Sequence, residues 1–253
     1  MKKTLILKIG SSTLTAGSKR ISRGKIEDLA RQISILREQY NIAIVSSGAI
    51  ATAKHFIEVN NWQASESKQA LAAIGQPILM QIYNEIFRDF AIATAQCLVT
   101  YRDFEHKEAQ SNILNTLNDL FSHGFVPIIN ENDTIAIDEL VFGDNDKLSA
   151  YVANLLDADL LMLASDIDGL FDKNPQKHSD AKHIACINDI NSCQQYIDEN
   201  DDSHLGTGGM TSKIQAAEIC SRNATQMWIV NGGNNNFILD CLANKQPCTR
   251  FVF

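Results

Sequence analysis

The chain has 253 residues, of which 45% are hydrophobic and 21% charged, a composition typical of a globular protein. Its formal net charge of −8 and the lack of any block of five basic residues argue against a nucleic-acid partner. The apolar runs are strand-length, so the sequence predicts no membrane span, and Lys8 interrupts the first run too early for an export signal.

The cysteines show no CxxC spacing, and no histidine lies at a metal-ligand interval from any of them. Reduced, mostly buried thiols in a cytoplasmic protein are the economical interpretation, and no metal site on the protein is predicted. From the sequence alone, Cys241 and Cys248 are compatible with two free thiols or with a disulfide. The length fits one domain, residues 1–253.

Apolar runs rich in Ile, Val and Leu predict strands, which in chain order cover residues 5–9, 42–45, 92–99, 126–129, 160–163 and 227–230. Segments with helical spacing, such as 26–36 and 113–120, lie between them. This alternation predicts a three-layer αβα sandwich around a mostly parallel sheet.

Three local patterns add detail to this outline. Pro77 is expected to break or kink the helical stretch 67–90. The period-two alternation over 134–143 predicts a β-hairpin, and the NGGNNN run at 231–236 predicts a turn before a short final helix.

A glycine-rich segment, LGTGGMTSKIQAAEI, occupies residues 205–219 and runs into a stretch with helical spacing. Glycines let a backbone approach a ligand closely, and amides at a helix N-terminus favour anions, so the segment suits a phosphate. It is not the GxxxxGK loop of common nucleotide-binding proteins, because Ser212 precedes Lys213. A flexible surface loop that caps a helix is the alternative.

Small polar residues and glycines follow several predicted strands, at the edge where a parallel sheet binds ligands. Lys8 lies inside the first strand, where a lysine is costly unless an anion meets it or its stem reaches water. With Lys213 at the start of a helix, the sequence predicts two cations around one anionic ligand.

The segment FGDNDKLSA places Asp144, Asn145 and Asp146 at the start of a predicted helix. The helix dipole favours one acid there as a cap. Two acids around an amide exceed what a cap needs, so the group could hold a lysine in place or bind an ammonium.

Taken together, six segments resemble the amino acid kinase family, and within it the members that phosphorylate glutamate. They are KIGSSTL, VSSGAI, SKQALAAIGQPILM, INENDTIAIDELVFGDNDKLSA, SDIDGLFDKNP and GTGGMTSKIQAA. The resemblance runs from Lys8 to about Asn231. It implies ATP-dependent phosphorylation of the γ-carboxylate of L-glutamate to L-glutamyl 5-phosphate, the first step of proline biosynthesis, with Mg²⁺ accompanying the ATP.

The resemblance also implies roles for particular residues. Lys8 and Lys213 would be the catalytic lysines, with Asp144 orienting them. Glutamate would be bound by Ser47, Asp133, Asn145 and, as a further candidate, Asp146. The implied ATP-binding residues are Lys8, Ser165, Asp166, Thr207, Gly208, Gly209, Met210, Thr211, Ser212 and Lys213.

Further properties follow from the same resemblance. Proline would be a feedback inhibitor, and the protein would be a homo-oligomer. Many glutamate-phosphorylating members carry a C-terminal PUA domain like those of RNA-modifying enzymes, and no such domain is expected in this chain.

Other functions on the same scaffold stay open. Members of the family also act on N-acetylglutamate, aspartate, carbamate or uridylate, and a non-catalytic amino-acid sensor could share the fold. Asp133 and Asp146 would suit the α-ammonium of free glutamate, which an acetylated amine lacks. A sensor would have no need of both lysines and the glycine-rich loop.

Overall fold

The computed structural model describes residues 2–18, 20–56, 68–136, 145–175, 177–196 and 209–253. The strands are β1 (Lys3–Ile9), β2 (Tyr40–Ser46), β3 (Thr94–Val99), β4 (Val126–Glu131), β5 (Leu160–Ser165), β6 (Leu170–Phe171), β7 (His183–Ile184), β8 (Cys186–Ile187), β9 (Gln226–Asn231) and β10 (Cys248–Phe251). The helices are α1 (Ser11–Thr15), α2 (Arg23–Leu36), α3 (Ala49–Phe56), α4 (Lys68–Asp89), α5 (Lys107–Ser122), α6 (Asn145–Leu155), α7 (Met210–Ser221) and α8 (Phe237–Leu242). Short 3-10 helices cover Tyr101–Phe104 and Ile190–Tyr196.

Within the described residues, eight strands form one sheet in the order β3-β4-β2-β1-β5-β9-β10-β8. Only β9 and β10 pair antiparallel in it, while β6 and β7 form a separate antiparallel ribbon. Strand β1 is central: Lys8 lies opposite Val45 of β2 and Leu163 of β5. The prediction of a mostly parallel sheet is confirmed.

Alternate residues of β1 belong to different hydrophobic cores, as the period of a strand requires. Leu5 and Leu7 pack with residues of α2, α4 and α8 on one face of the sheet. Ile6 packs with residues of α6 and α7 on the other face. Helices therefore cover both faces, which confirms the three-layer αβα sandwich. Lys8 shares the face of Ile6 and so lies on the side of α6 and α7.

Pro77 was expected to break or kink the helix around it; the break does not occur, and the kink stays a prediction. Helix α4 continues through Pro77 from Lys68 to Asp89. Packing outweighs the lost backbone hydrogen bond, since α4 contacts α3, α2 and β3. Gly75 permits this closeness: a Cβ there would overlap the backbone carbonyl of Ala49, at the start of α3.

Other local predictions had mixed outcomes. The short final helix after the NGGNNN turn is confirmed as α8. Most of the predicted hairpin 134–143 lies outside the described residues. Of that segment, residues 134–136 form a turn in which the amides of Ile135 and Ala136 donate to the Asn132 carbonyl. All six cysteines lie within the described ranges, and each is a free thiol. None of the helices there is long and apolar enough to cross a membrane.

Candidate active site

A buried carboxylate joins two buried lysines at the carboxyl edge of the sheet. Asp146 is fully buried, and its Oδ1 lies 2.5 Å from the Nζ of Lys8. Its Oδ2 lies 3.2 Å from the Nζ of Lys213 and accepts a 3.0 Å hydrogen bond from Ser212 Oγ. Both lysines are only 5% exposed. The anion that Lys8 needs inside its strand is thus supplied, in part, by the protein.

Three elements bring these groups together. Strand β1 directs Lys8 towards α6 and α7, and Asp146 lies in the first turn of α6, where the helix dipole favours a carboxylate. Lys213 lies in the first turn of α7, where the dipole disfavours a cation. The negative charge of Asp146 offsets the unfavourable interaction between Lys213 and the helix dipole. The cluster thus brings two ammonium groups together at the edge of the sheet where a phosphate was predicted to bind.

The structure changes the part predicted for Asp146. The role of orienting the lysines was predicted for Asp144, which lies outside the described residues. Within them it is Asp146, predicted as a substrate ligand, that contacts both lysines. Asp146 therefore takes, among the described residues, the position between the lysines, and its part in glutamate binding stays a prediction.

Asn145 and Ser47, both predicted to bind glutamate, are in contact. The Nδ2 of Asn145 donates to Ser47 Oγ at 3.0 Å, to the carbonyl of Ser46 at 3.0 Å and to Asn130 Oδ1 at 2.9 Å. The residue thereby ties the start of α6 to the ends of β2 and β4.

Two carboxylates lie at or just beyond the end of β4. Burial and the neighbouring charge of Asp133 raise the pKa of Glu131 to about 7. Burial also raises the pKa of Asp133. Partly desolvated carboxylates of this kind gain from meeting a cation. Among the described residues no hydrogen bond joins Asp133 to Asn145, so the structure places the two on neighbouring elements without linking them.

The predicted nucleotide residues that the structure describes lie on β1, at the end of β5 and at the start of α7. Ser165 ends β5, donates to Asp166 Oδ1 at 3.2 Å and accepts the amide of Gly232 at 2.8 Å. A Cβ on Gly232 would lie within 2.8 Å of Ala164 and Thr13, so only glycine lets these segments approach.

Gly10 connects this side of the site to the lysine cluster. A Cβ added to Gly10 would lie 3.6 Å from both Lys8 Nζ and the Ala164 carbonyl oxygen. The ammonium of Lys8 and the end of β5 therefore face the same small space.

The glycine-rich segment is described only from its last glycine onwards. Gly209 is the N-cap of α7, with extended backbone, and its carbonyl accepts a 2.8 Å hydrogen bond from Ser212 Oγ. Met210, Thr211, Ser212 and Lys213 form the first turn of that helix. Thr207 and Gly208 lie outside the described residues. The helix N-terminus needed for a phosphate site is present.

Sequence reasoning missed three polar residues beside Asn145. Asn130 is buried and contacts Asn145 directly, Gln76 of α4 contacts Asn130, and Glu131 follows Asn130 in the chain. Two of the three, Gln76 and Asn130, are buried amides next to apolar strand or helix residues. The signal in the sequence was an amide side chain next to apolar strand or helix residues. Burial of an amide costs free energy unless the amide is hydrogen-bonded, so such a residue needs a partner.

The model of the amino acid kinase family matches residues 3–231, most of the chain, and the chain belongs to this family. Its relatives include proteins named glutamate 5-kinase. That of Helicobacter hepaticus is 42% identical over 100% of this chain and 95% of its own length. That of Clostridium acetobutylicum is 41% identical over 98% of this chain and 94% of its own.

Solved structures agree on the fold. The crystal structure of UMP kinase from Ureaplasma parvum superposes with a TM-score of 0.68 at 19% identity, covering 100% of both chains. At that identity the likeness concerns the fold alone.

The described residues contain no group of three His, Cys, Asp or Glu side chains placed to hold a metal ion.

Proposed function

We propose that the protein transfers the γ-phosphoryl group of ATP to the γ-carboxylate of L-glutamate, giving L-glutamyl 5-phosphate for proline biosynthesis. The observation that carries the proposal is the buried cluster of Lys8, Asp146 and Lys213 beside the polar pocket of Asn145. Similarity to glutamate 5-kinases over nearly the whole chain supports the choice of glutamate among the family's substrates.

The chemistry explains why no general base is needed. A glutamate γ-carboxylate has an ordinary pKa near ~4.3, so at neutral pH it is already ionised and can attack without losing a proton. Its oxygen forms a bond to the γ-phosphorus as the bond to the leaving ADP oxygen breaks. The obstacle is repulsion between two anions brought to bonding distance.

The two lysines provide relief from that repulsion. A unit charge pair at 4 Å is worth on the order of 4 kcal/mol at an effective dielectric of 20, so each ammonium matters. Asp146 holds both ammonium groups in place before the substrates arrive, with Nζ to oxygen distances of 2.5 and 3.2 Å. Catalysis by such a site is mainly positioning and electrostatic stabilisation.

The donor set also fits Mg²⁺ that arrives with the nucleotide. Mg²⁺ in kinases is commonly bound through substrate phosphates, waters and one or two carboxylates rather than an all-protein cage. Asp166, beside Ser165 at the end of β5, is a carboxylate that could join such a set. Bound there, the ion would neutralise phosphate charge, and the chain's own part is to orient the phosphates with Lys8, Lys213 and the amides of α7.

The pocket around Asn145 suits the α end of free glutamate. Asp133 and Glu131, at or just beyond the end of β4, offer carboxylates to the α-ammonium. Ser47, after β2, and Asn145, at the start of α6, offer polar groups on the neighbouring elements. N-acetylglutamate has no charge at that nitrogen and would leave the two carboxylates unpaired. This difference is the basis for preferring glutamate.

Proline should compete for the same pocket. It keeps the α-carboxylate and the charged α-nitrogen of glutamate but has no γ-carboxylate, so it can occupy the α subsite without reacting. We therefore propose proline as a feedback inhibitor competitive with glutamate.

The free thiols of all six cysteines support a reducing compartment, the cytoplasm.

Release of ADP with a panel of acceptors tests the proposal. Glutamate, N-acetylglutamate, aspartate, carbamate and UMP are each incubated with ATP, Mg²⁺ and the purified protein. Glutamate should support the highest kcat/KM. Turnover with another acceptor and none with glutamate would refute the assignment, and no turnover with any of them would favour the sensor.

A further inference from the structure

A row of side-chain amides runs from the edge of the sheet to the start of α6. Gln96 of β3 accepts from Gln76 of α4 at 3.4 Å, and Gln76 Oε1 accepts from Asn130 Nδ2 at 2.9 Å. Asn130 Oδ1 in turn accepts from Asn145 Nδ2 at 2.9 Å. The three inner members are each less than 10% exposed: Gln76 7%, Asn130 3% and Asn145 9%. Within the part of the chain that the structure describes, Gln76 is connected to Asn145 through Asn130.

Backbone groups beside Asn145 and Asn130 fix which end of each amide, the oxygen or the nitrogen, faces the next residue of the row. The carbonyl of Ser46 can only accept, so the Asn145 amide must turn its Nδ2 towards it. The amide N–H of Glu131 can only donate, so Asn130 must turn its Oδ1 inward, where it accepts from both Glu131 and Asn145. The outward Nδ2 of Asn130 then needs an acceptor, and Gln76 Oε1 is that acceptor.

The orientation of the Asn145 amide determines whether the residue presents a hydrogen-bond donor or an acceptor to a ligand. Its amino group has two hydrogens and already faces three protein acceptors, among them Ser47 Oγ. What remains is the carbonyl oxygen Oδ1, which can only accept. Asn145 contacts Asn130 near the end of β4, and the chain continues from there into the carboxylates Glu131 and Asp133. An acceptor in this position is suited to a ligand N–H carrying positive charge.

We infer that Gln76 is a positioning residue for recognition of the substrate's α-ammonium. Its Oε1 holds Asn130, and Asn130 keeps the Asn145 amide turned so that an acceptor faces the ligand. The inference rests on the proposed function, because it takes glutamate as the ligand of Asn145. Without the Gln76 acceptor, the buried Nδ2 of Asn130 has no hydrogen-bond partner, which costs free energy. Rotation of the Asn130 side chain away from Asn145 would lower that cost.

Substitutions at Gln76 test this role, with steady-state KM values for glutamate and ATP as the readout. Gln76→Met removes the acceptor and keeps nearly the same side-chain volume. It should raise the glutamate KM roughly tenfold, while the ATP KM stays within about twofold. The reason is that, among the described residues, the row of amides contacts the proposed glutamate residue Asn145 and not the proposed nucleotide residues. Gln76→Glu keeps an acceptor oxygen and should restore most of the affinity. Gln81→Met, an exposed position on the same helix that bonds Glu85, is the matched control.

A double-mutant cycle with Asn145→Ala shows whether Gln76 acts through that residue. The glutamate KM of Gln76→Met with Asn145→Ala should equal that of Asn145→Ala alone, because the path is already broken. Additive effects, equal changes in both KM values, an unchanged glutamate KM or no rescue by Gln76→Glu would each overturn the inference. Gln76→Ala removes the same acceptor without an apolar group beside Asn130, and replaces Gln76→Met if that variant does not fold.

The inference and the proposed function fail differently. Wild-type protein that turns over no glutamate refutes the proposed function and, with it, this inference. Wild-type turnover combined with an unchanged glutamate KM in Gln76→Met overturns the inference alone.

Discussion

Lys8 of β1 and Asp146 of α6 form a buried ion pair, with Nζ 2.5 Å from Oδ1, and the same carboxylate reaches Lys213 through its other oxygen. We predict that Asp146→Asn lowers kcat by about 10²–10³, the usual loss when one preorganised charge-stabilising contact is removed. The free energy of unfolding should also fall, on the order of 3–5 kcal/mol, because buried ammonium groups lose their partner. Steady-state kinetics and urea unfolding measure the two effects.

Asp180→Asn is the control for this variant. Asp180 pairs with Lys173 at 2.5 Å, but the pair lies at the surface. Its loss should leave both kcat and stability nearly unchanged. A folded Asp146→Asn protein with native kcat would remove Asp146 from the catalytic account.

Replacement of either lysine should act mainly on the rate. We expect Lys8→Ala and Lys213→Ala each to lower kcat by about 10²–10³, because each removes one positive charge near the transferred phosphoryl group. The exposed Lys173→Ala serves as control, with unchanged kcat expected. Near-native turnover in a folded Lys8 or Lys213 variant would exclude that lysine from catalysis.

Glutamate affinity should rise with pH around neutrality. Since the pKa of Glu131 is raised to about 7, the group is mostly protonated at about pH 6 and mostly ionised at about pH 8, where it attracts the α-ammonium. The glutamate KM should fall by up to about tenfold over that range, and the ATP KM should not follow.

Folding stability should show the opposite trend from this group. A carboxyl whose pKa is higher in the folded state stabilises the fold while protonated, and that contribution is lost as pH rises towards about 7. Glu131→Gln should flatten both pH dependences. If the glutamate KM keeps its full pH dependence in this variant, another group is responsible.

The α subsite should bind glutamate and proline through the same residues. Asp133→Ala and Asn145→Ala are predicted to raise the glutamate KM and the proline inhibition constant together, with little change in the ATP KM. Inhibition curves at several glutamate concentrations measure both. Full-strength proline inhibition in Asp133→Ala, or inhibition that glutamate cannot relieve, would place the regulatory site elsewhere.

Much of the fold was predictable because the strands carry strong apolar runs and the helices carry clear periodicity. The break expected at Pro77 was wrong because a local rule cannot include tertiary packing. The close approach of α4 to α3, made possible by Gly75, keeps the helix continuous. Gly75 was in view in the sequence, but its partner Ala49 lies 26 residues earlier.

The candidate site was only partly predictable for a related reason. Lys8 and Lys213 were identified from their own surroundings, as a lysine in a strand and a lysine after glycines. That Asp146 meets them depends on the rotation of α6 about its axis, because one residue changes the direction by about 100°. The amide row of Gln76, Asn130 and Asn145 joins three separate segments and could not be found by spacing at all.

Trapping of the product with hydroxylamine tests the central claim most directly. An acyl phosphate on the γ-carboxylate reacts with hydroxylamine to give γ-glutamyl hydroxamate, which mass spectrometry distinguishes from other products. With glutamate, ATP and Mg²⁺, the protein should form γ-glutamyl hydroxamate and ADP in equal amounts, and Asp146→Asn should lower both together. ADP formation without any hydroxamate would contradict carboxylate phosphorylation by this site.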